Sequence, residues 1–146
     1  MTTQNGAAKA LFSLTVSEGK RLIGKAVATL PVVQTARDEG RLIIANGITN
    51  AFVAEELVGK SLEKVNYTAG IATQGYYSVT PSETRILPIC FENGERSTRP
   101  WAEILADFTK DDVFIKGANA IDSSGMAGVL VGAPNGGTCG LALGTL

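Results

Sequence analysis

The sequence predicts one α/β domain built on an open, mostly parallel sheet with helices on both faces. Three observations carry that expectation. Short apolar runs (RLIIA at 41–45, ILPICF at 86–91, DVFI at 112–115, AGVLVG at 127–132) alternate with helical patterns. Hydrophobic residues make up 45% of the 146 and charged ones 18%, enough apolar surface for a single core. Two of the apolar runs lead into glycine turns that open helices, at 46–50 and 135–138.

The elements follow in order. Residues 1–14 read as a flexible arm, and 15–146 as the domain. Thr15 and Glu18 have the spacing of a capping box, so a helix starts there. Leu22, Ile23, Ala26, Val27 and Leu30 recur at helical spacing and are expected to be its buried face. Pro31 suits the first turn of a second helix, which Gly40 stops. RLIIA is a strand apolar enough for the inside of a sheet. Thr49 or Asn50 then caps a third helix, which Gly59 ends. Residues 61–79 read as loop with one irregular strand. ILPICF is the next strand, with Asn93-Gly94 as its turn. A helix opens at Pro100, capped by Ser97 or Thr98, with Trp101, Ile104, Leu105 and Phe108 on one face. DVFI enters a turn, DSSG at 122–125 reverses the chain, and AGVLVG returns as a strand. A last helix begins in CGLALGTL. A fold of this pattern is expected to continue beyond Leu146.

Composition excludes several functions. The chain has no histidine, which removes Ser-His-Asp and Cys-His catalysis and any His-ligated metal. Cys90 and Cys139 lack CxxC spacing, so neither a zinc nor a redox motif is indicated. The net charge of −1 carries no basic excess for nucleic acid. No signal-peptide core and no run long enough to span a bilayer is present. These features fit a cytoplasmic protein without metal or cofactor, and leave a homo-oligomer open.

Three stretches carry candidate chemistry. At 46–50 a strand delivers the chain to a helix N-terminus, where unpaired N–H groups and the helix dipole favour an anion. Asn46, Gly47, Thr49 and Asn50 are the candidates, against the simpler reading of a plain capped turn. Residues 135–138 repeat that grammar, with Gly136, Gly137 and Thr138. Parallel strands would bring both turns to one sheet edge. The third stretch spans Lys116, Gly117, Asn119 and Asp122. Lys116 could supply a cation to a phosphate or carboxylate. Asp122 could serve as a base, although starting the DSSG turn is its simpler role. Glu55 and Glu56 read as a solvated face, Glu83 and Arg85 as surface residues, and Cys139 as a thiol without a base partner.

Together these stretches resemble the superfamily of type A ribose-5-phosphate isomerase, glucosamine-6-phosphate deaminase, the CoA transferases and sugar-phosphate-sensing repressor domains. IIANGITNAFVAEEL at 43–57 is similar to its GTGST-containing segment, with Gly47 and Thr49 matching. VFIKGANAIDSSG at 113–125 is similar to its AIDGADEVD segment, with Gly117, Ala118 and Asp122 matching. The resemblance implies a Rossmann-like, isomerase/CoA-transferase-like fold and a small phosphorylated or carboxylated ligand. Lys116, Asn119 and Ala120 stand where the isomerases hold acidic residues, so the isomerase reaction is not implied. The function expected is anion binding at helix N-termini, with either an altered enzyme or a non-catalytic sensing module around it.

Overall fold

The computed structural model describes residues 10–73 and 75–146. Most of the expected arm, residues 1–9, lies outside them. Thr15 caps α1 (Val16–Ala28) with the full capping box: its hydroxyl accepts from the Glu18 N–H, and the Glu18 carboxylate accepts from the Thr15 N–H at 2.7 Å. Pro31 opens α2 (Pro31–Glu39), and Gly40 turns the chain into β1 (Arg41–Ile44). Gly47 starts α3 (Ile48–Val58), and Gly59, in the left-handed conformation, ends it. Neither Thr49 nor Asn50 is the cap, since both lie inside the helix. A hairpin of β2 (Gly70–Thr73) and β3 (Tyr76–Val79) occupies the stretch expected to be mostly loop.

β4 (Ile89–Glu92) and β5 (Glu95–Ser97) follow, then α4 (Trp101–Ala106). Pro100 stands at the start of α4 without a side-chain cap, so neither Ser97 nor Thr98 fills that role. β6 (Val113–Ile115), a small hairpin of β7 (Ala120–Ile121) and β8 (Ala127–Gly128), and α5 (Gly137–Leu143) complete the chain.

The sheet is not the open, mostly parallel one the sequence predicts. Its four strands run β5-β4-β1-β6, and only β1 and β6 are parallel. Two local turns explain the difference. Asn93 and Gly94 adopt φ of 50° and 86°, a two-residue reversal of the kind that joins antiparallel strands. β4 and β5 are therefore a hairpin with Glu92 opposite Glu95, and they add to the antiparallel side of β1. In the second turn, the Asp122 carboxylate accepts from the N–H groups of Ser124 and Met126. That closes the chain so tightly that β8 pairs with β7 beside it instead of with the main sheet. The fold is a small mixed sheet with two separate two-stranded ribbons, and the Rossmann-like arrangement does not apply.

Alternation along the strands sorts the core into two clusters. Leu42, Ile44, Ile89 and Phe91 face Val33 and Ala36 of α2, Ala51 and Ala54 of α3, and Tyr67. Ile43 and Cys90 face Ile104 and Leu105 of α4 and Ala142 of α5, with Trp101, Phe108 and Phe114 at the margin. The aromatic face expected for α4 is thus its packing face.

α1 packs differently from its expectation. Gly24 and Ala28 are its buried residues, while Leu22 and Ile23 are exposed. Gly24 decides this. A Cβ placed on it would sit 2.8 Å from the Phe52 Cβ, so the glycine lets the α1 and α3 backbones approach closely.

Candidate functional site

Parallel pairing of β1 with β6 brings two of the candidate stretches to one edge. The Ala45 N–H donates to the Ile115 carbonyl at 2.9 Å, and there the strands part. Asn50, one turn into α3, fills the gap: its side-chain amide donates to the carbonyls of Ala45 at 2.8 Å and Ile115 at 3.3 Å. Gly117 lies against the same side chain, with Asn50 Oδ1 only 3.3 Å from where a Gly117 Cβ would be. Asn46, Gly47, Thr49, Asn50, Lys116 and Gly117 therefore share one locale.

Much of the polar equipment there already has structural work. The Asn46 amide donates to the Ile86 carbonyl at 2.7 Å, which ties the turn to the chain entering β4. The Gly47 N–H donates to the Tyr67 carbonyl at 2.8 Å, and the Gly47 carbonyl accepts from Ala51 as the first bond of α3. The N–H groups of Ile48, Thr49 and Asn50 precede that first bond and have no partner within the helix. The half-buried Lys116 donates to the Gly117 carbonyl at 3.1 Å, which leaves two of its three protons for another acceptor.

The remaining candidates sit elsewhere. The Asn119 side chain accepts from the Leu130 N–H in the β7–β8 ribbon. Asp122 is exposed and occupied by its own turn: the Ser124 hydroxyl and the Met126 and Ser124 N–H groups hold its carboxyl below the usual range. Gly136 and Gly137 adopt positive φ of 77° and 54° at the start of α5, with Thr138 next. α5 is anchored through Ala142 on the sheet face opposite α3, and among the described residues no hydrogen bond joins its turn to residues 46–50. A shallow groove of about 470 Å³ runs over Ser17, Arg21, Lys25 and Phe52, and another of about 280 Å³ over Phe108, Lys110 and Asp112. Neither includes a candidate ligand-binding residue.

Glu55 and Tyr67 are two of the buried polar groups that the sequence did not reveal. Glu55, expected in solvent, is buried with its side chain only 5% exposed. It accepts from the Leu62 N–H at 2.8 Å and pairs with Lys64 and Arg21 at 2.5 Å each. Arg21 and Lys64 also lie over the Phe52 ring, 4.5 Å and 4.8 Å from its centroid. Burial alone would raise the Glu55 pKa, but the Leu62 N–H and the two cations outweigh it and bring the pKa down to about 2. The signal was available: residues 50–54 read NAFVA, and a helix that apolar lies inside the protein, so its next polar residue is buried with it.

Tyr67 is the other. It is fully buried, and its hydroxyl donates to the Ile44 carbonyl at 2.6 Å while accepting from the Ile89 N–H at 3.0 Å. Burial raises its pKa far above the ordinary phenol value. One side chain thus stitches β1 to β4, and its own carbonyl holds Gly47.

Burial, then the Glu92 carboxylate, pushes the Cys90 thiol up to about 11, and neither cysteine is bonded to another. Among the described residues no cluster of three or more acidic or cysteine side chains is placed to hold a metal, and no helix is long and apolar enough to cross a membrane. Comparison with known families, characterised proteins and solved structures finds no match.

Proposed function

We propose that this domain binds a small phosphorylated or carboxylated metabolite at the edge where β1 and β6 end. The observation that carries the reading is the parallel β1–β6 pair, which sets the N-terminus of α3 beside Lys116. The two turns that follow β1 and β6 carry unlike sources of positive potential, helix N–H groups without partners inside the helix on one and an ammonium group on the other. The choice of ligand class rests on these two groups, since the fold implied by the resemblance to sugar-phosphate isomerases and CoA transferases is not the one found.

The reading is of binding without catalysis. Asp122 belongs to its own turn, and the positions of the isomerase carboxylates hold Lys116, Asn119 and Ala120. The net charge of −1 supplies no basic excess for nucleic acid. Free thiols at Cys90 and Cys139 support a reducing, cytoplasmic setting.

A thermal-shift screen with sugar phosphates, CoA esters and citrate-like acids tests the proposal. A ligand at 100 times its Kd adds about 2.7 kcal/mol of stability. The shift is expected to vanish in Lys116→Ala and to survive in Asp122→Ala. No shift with any of the anions overturns the reading, and a shift that persists without Lys116 moves the site elsewhere.

A further inference from the structure

The sequence contains four Asn-Gly pairs, at 5–6, 46–47, 93–94 and 135–136, the first of them outside the described residues. An Asn-Gly pair is prone to react with itself, because glycine has no Cβ to shield its backbone nitrogen or restrict its rotation. That nitrogen adds to the side-chain carbonyl carbon of the asparagine and closes a succinimide ring. The Cγ–Nδ2 bond breaks, and ammonia leaves with the proton that the glycine N–H gives up. Water then opens the ring, to aspartate if it adds at Cγ and to isoaspartate if it adds at the main-chain carbonyl. Water is the only co-reactant, and the net change is an amide exchanged for a carboxylate.

The three described pairs are held to different degrees. Asn46 is half-buried, and its side-chain amide donates to the Ile86 carbonyl at 2.7 Å. The Gly47 N–H donates to the carbonyl of the fully buried Tyr67 at 2.8 Å, so both reacting groups are fixed from the core. Asn93 is exposed, but the Gly94 N–H donates to the Arg37 carbonyl of α2 at 2.8 Å. The β4–β5 hairpin also holds Asn93 at a φ of 50°. Ring closure there requires the hairpin to leave α2.

Asn135 is exposed, as are Val131 to Pro134 before it. The Gly136 N–H donates to the Ala133 carbonyl at 2.9 Å, inside its own turn. The Asn135 Oδ1 accepts from the Gly137 N–H at 3.1 Å. That donor polarises the carbon to be attacked and steadies the oxyanion that forms on Oδ1. The turn leads into the seven-residue α5, whose first turn contains Gly137 and Gly140, residues of low helix propensity. Among the described residues, no hydrogen bond from 133–140 reaches beyond this turn and α5. We propose that Asn135 is a site of spontaneous deamidation through Gly136, and that in the folded protein it reacts ahead of Asn46 and Asn93. The aspartate product adds a negative charge beside the Gly137 N–H, and the isoaspartate product lengthens the main chain at the entry to α5.

Incubating the folded 146-residue chain in mildly alkaline buffer, then mapping its tryptic peptides by mass spectrometry, tests this. Cleavage after lysine and arginine puts the four pairs in separate peptides, 1–9, 42–60, 86–96 and 117–146. Conversion in 117–146 should run about tenfold or more ahead of 42–60 and 86–96, because a local turn opens far more readily than segments tied to the core. In urea the three rates should converge. Asn135→Gln should abolish conversion in 117–146. A comparable rate in 42–60 or 86–96 of the folded chain, or an unchanged 117–146, overturns the proposal. A preference that persists in urea makes it an effect of neighbouring sequence and overturns the structural argument. Conversion that survives Asn135→Gln assigns the reaction to Asn119 and overturns the proposal as well.

Discussion

Replacing Tyr67 by phenylalanine removes one oxygen atom and two buried hydrogen bonds. The ring stays, so the packing against Leu42, Ile44 and Ile89 is kept, and the change isolates the hydroxyl. The Ile44 carbonyl loses its 2.6 Å donor, and the Ile89 N–H loses its 3.0 Å acceptor. A buried backbone group left without a partner costs about 1–3 kcal/mol. Two such groups, with some relaxation of the strand ends, put the expected loss at about 2–4 kcal/mol. In a chain of this size that is a fall in Tm on the order of 6–12 °C. Urea unfolding followed by fluorescence measures it directly, because Trp101 is the single tryptophan and packs against the opposite face of the sheet. The midpoint should drop with the slope unchanged. A loss below about 0.5 kcal/mol, the level of an ordinary surface substitution, would refute the claim that this hydroxyl joins β1 to β4.

The other predictions concern charge, close packing and binding. The Glu55 pKa of about 2 lies below its ordinary 4.5, so its contribution to stability is complete above pH 4.5 and is lost as pH falls toward 2. That contribution is about 3 kcal/mol. Glu55→Gln should be less stable at neutral pH and should lack this acid-sensitive component; matching acid titrations of stability for parent and variant would exclude it. Gly24→Ala should destabilise by about 1–3 kcal/mol through overpacking against Phe52, despite a helix-propensity gain of about 1 kcal/mol. A neutral or stabilising result in thermal melts would mean that α1 and α3 do not approach as closely as described. For the anion site, Lys116→Gln should abolish ligand-induced stabilisation while leaving the apo Tm within a degree or two; equal ligand shifts in both proteins would exonerate the lysine.

Local chemistry was legible residue by residue. Thr15 and Glu18 specified the start of α1, Pro31 and Gly40 bounded α2, and Gly59 closed α3, because caps and stops act within a few residues of themselves. Asn93-Gly94 marks a turn in the sequence, and the conformation of that turn decides more than its position. A two-residue reversal commits the next strand to antiparallel pairing, and that overturns the mostly parallel sheet. The stretch at 127–132 forms only the two-residue β8 for a related reason. Its apolar residues fit a central strand, yet the tight turn held by Asp122 captured Ala127 and Gly128 first.

Of the candidate site, the sequence supplied the residues and the tertiary structure supplied the neighbours. Asn46 to Asn50 and Lys116 to Gly117 are far apart in the chain and meet only because β1 and β6 lie parallel. Nothing local marked Asn50 as the clamp between Ala45 and Ile115, nor Tyr67 as the bridge from Ile44 to Ile89. Hydrogen bonds across a core depend on which segments the sheet order brings together, and sheet order is not written in any single stretch. Periodicity marked Leu22, Ile23, Ala26, Val27 and Leu30 as the buried face of α1, and the structure buries Gly24 and Ala28 instead. Gly24 settled that, since a helix packs most closely where it has no side chain, and the larger stripe of Leu22 and Ile23 was left facing outward.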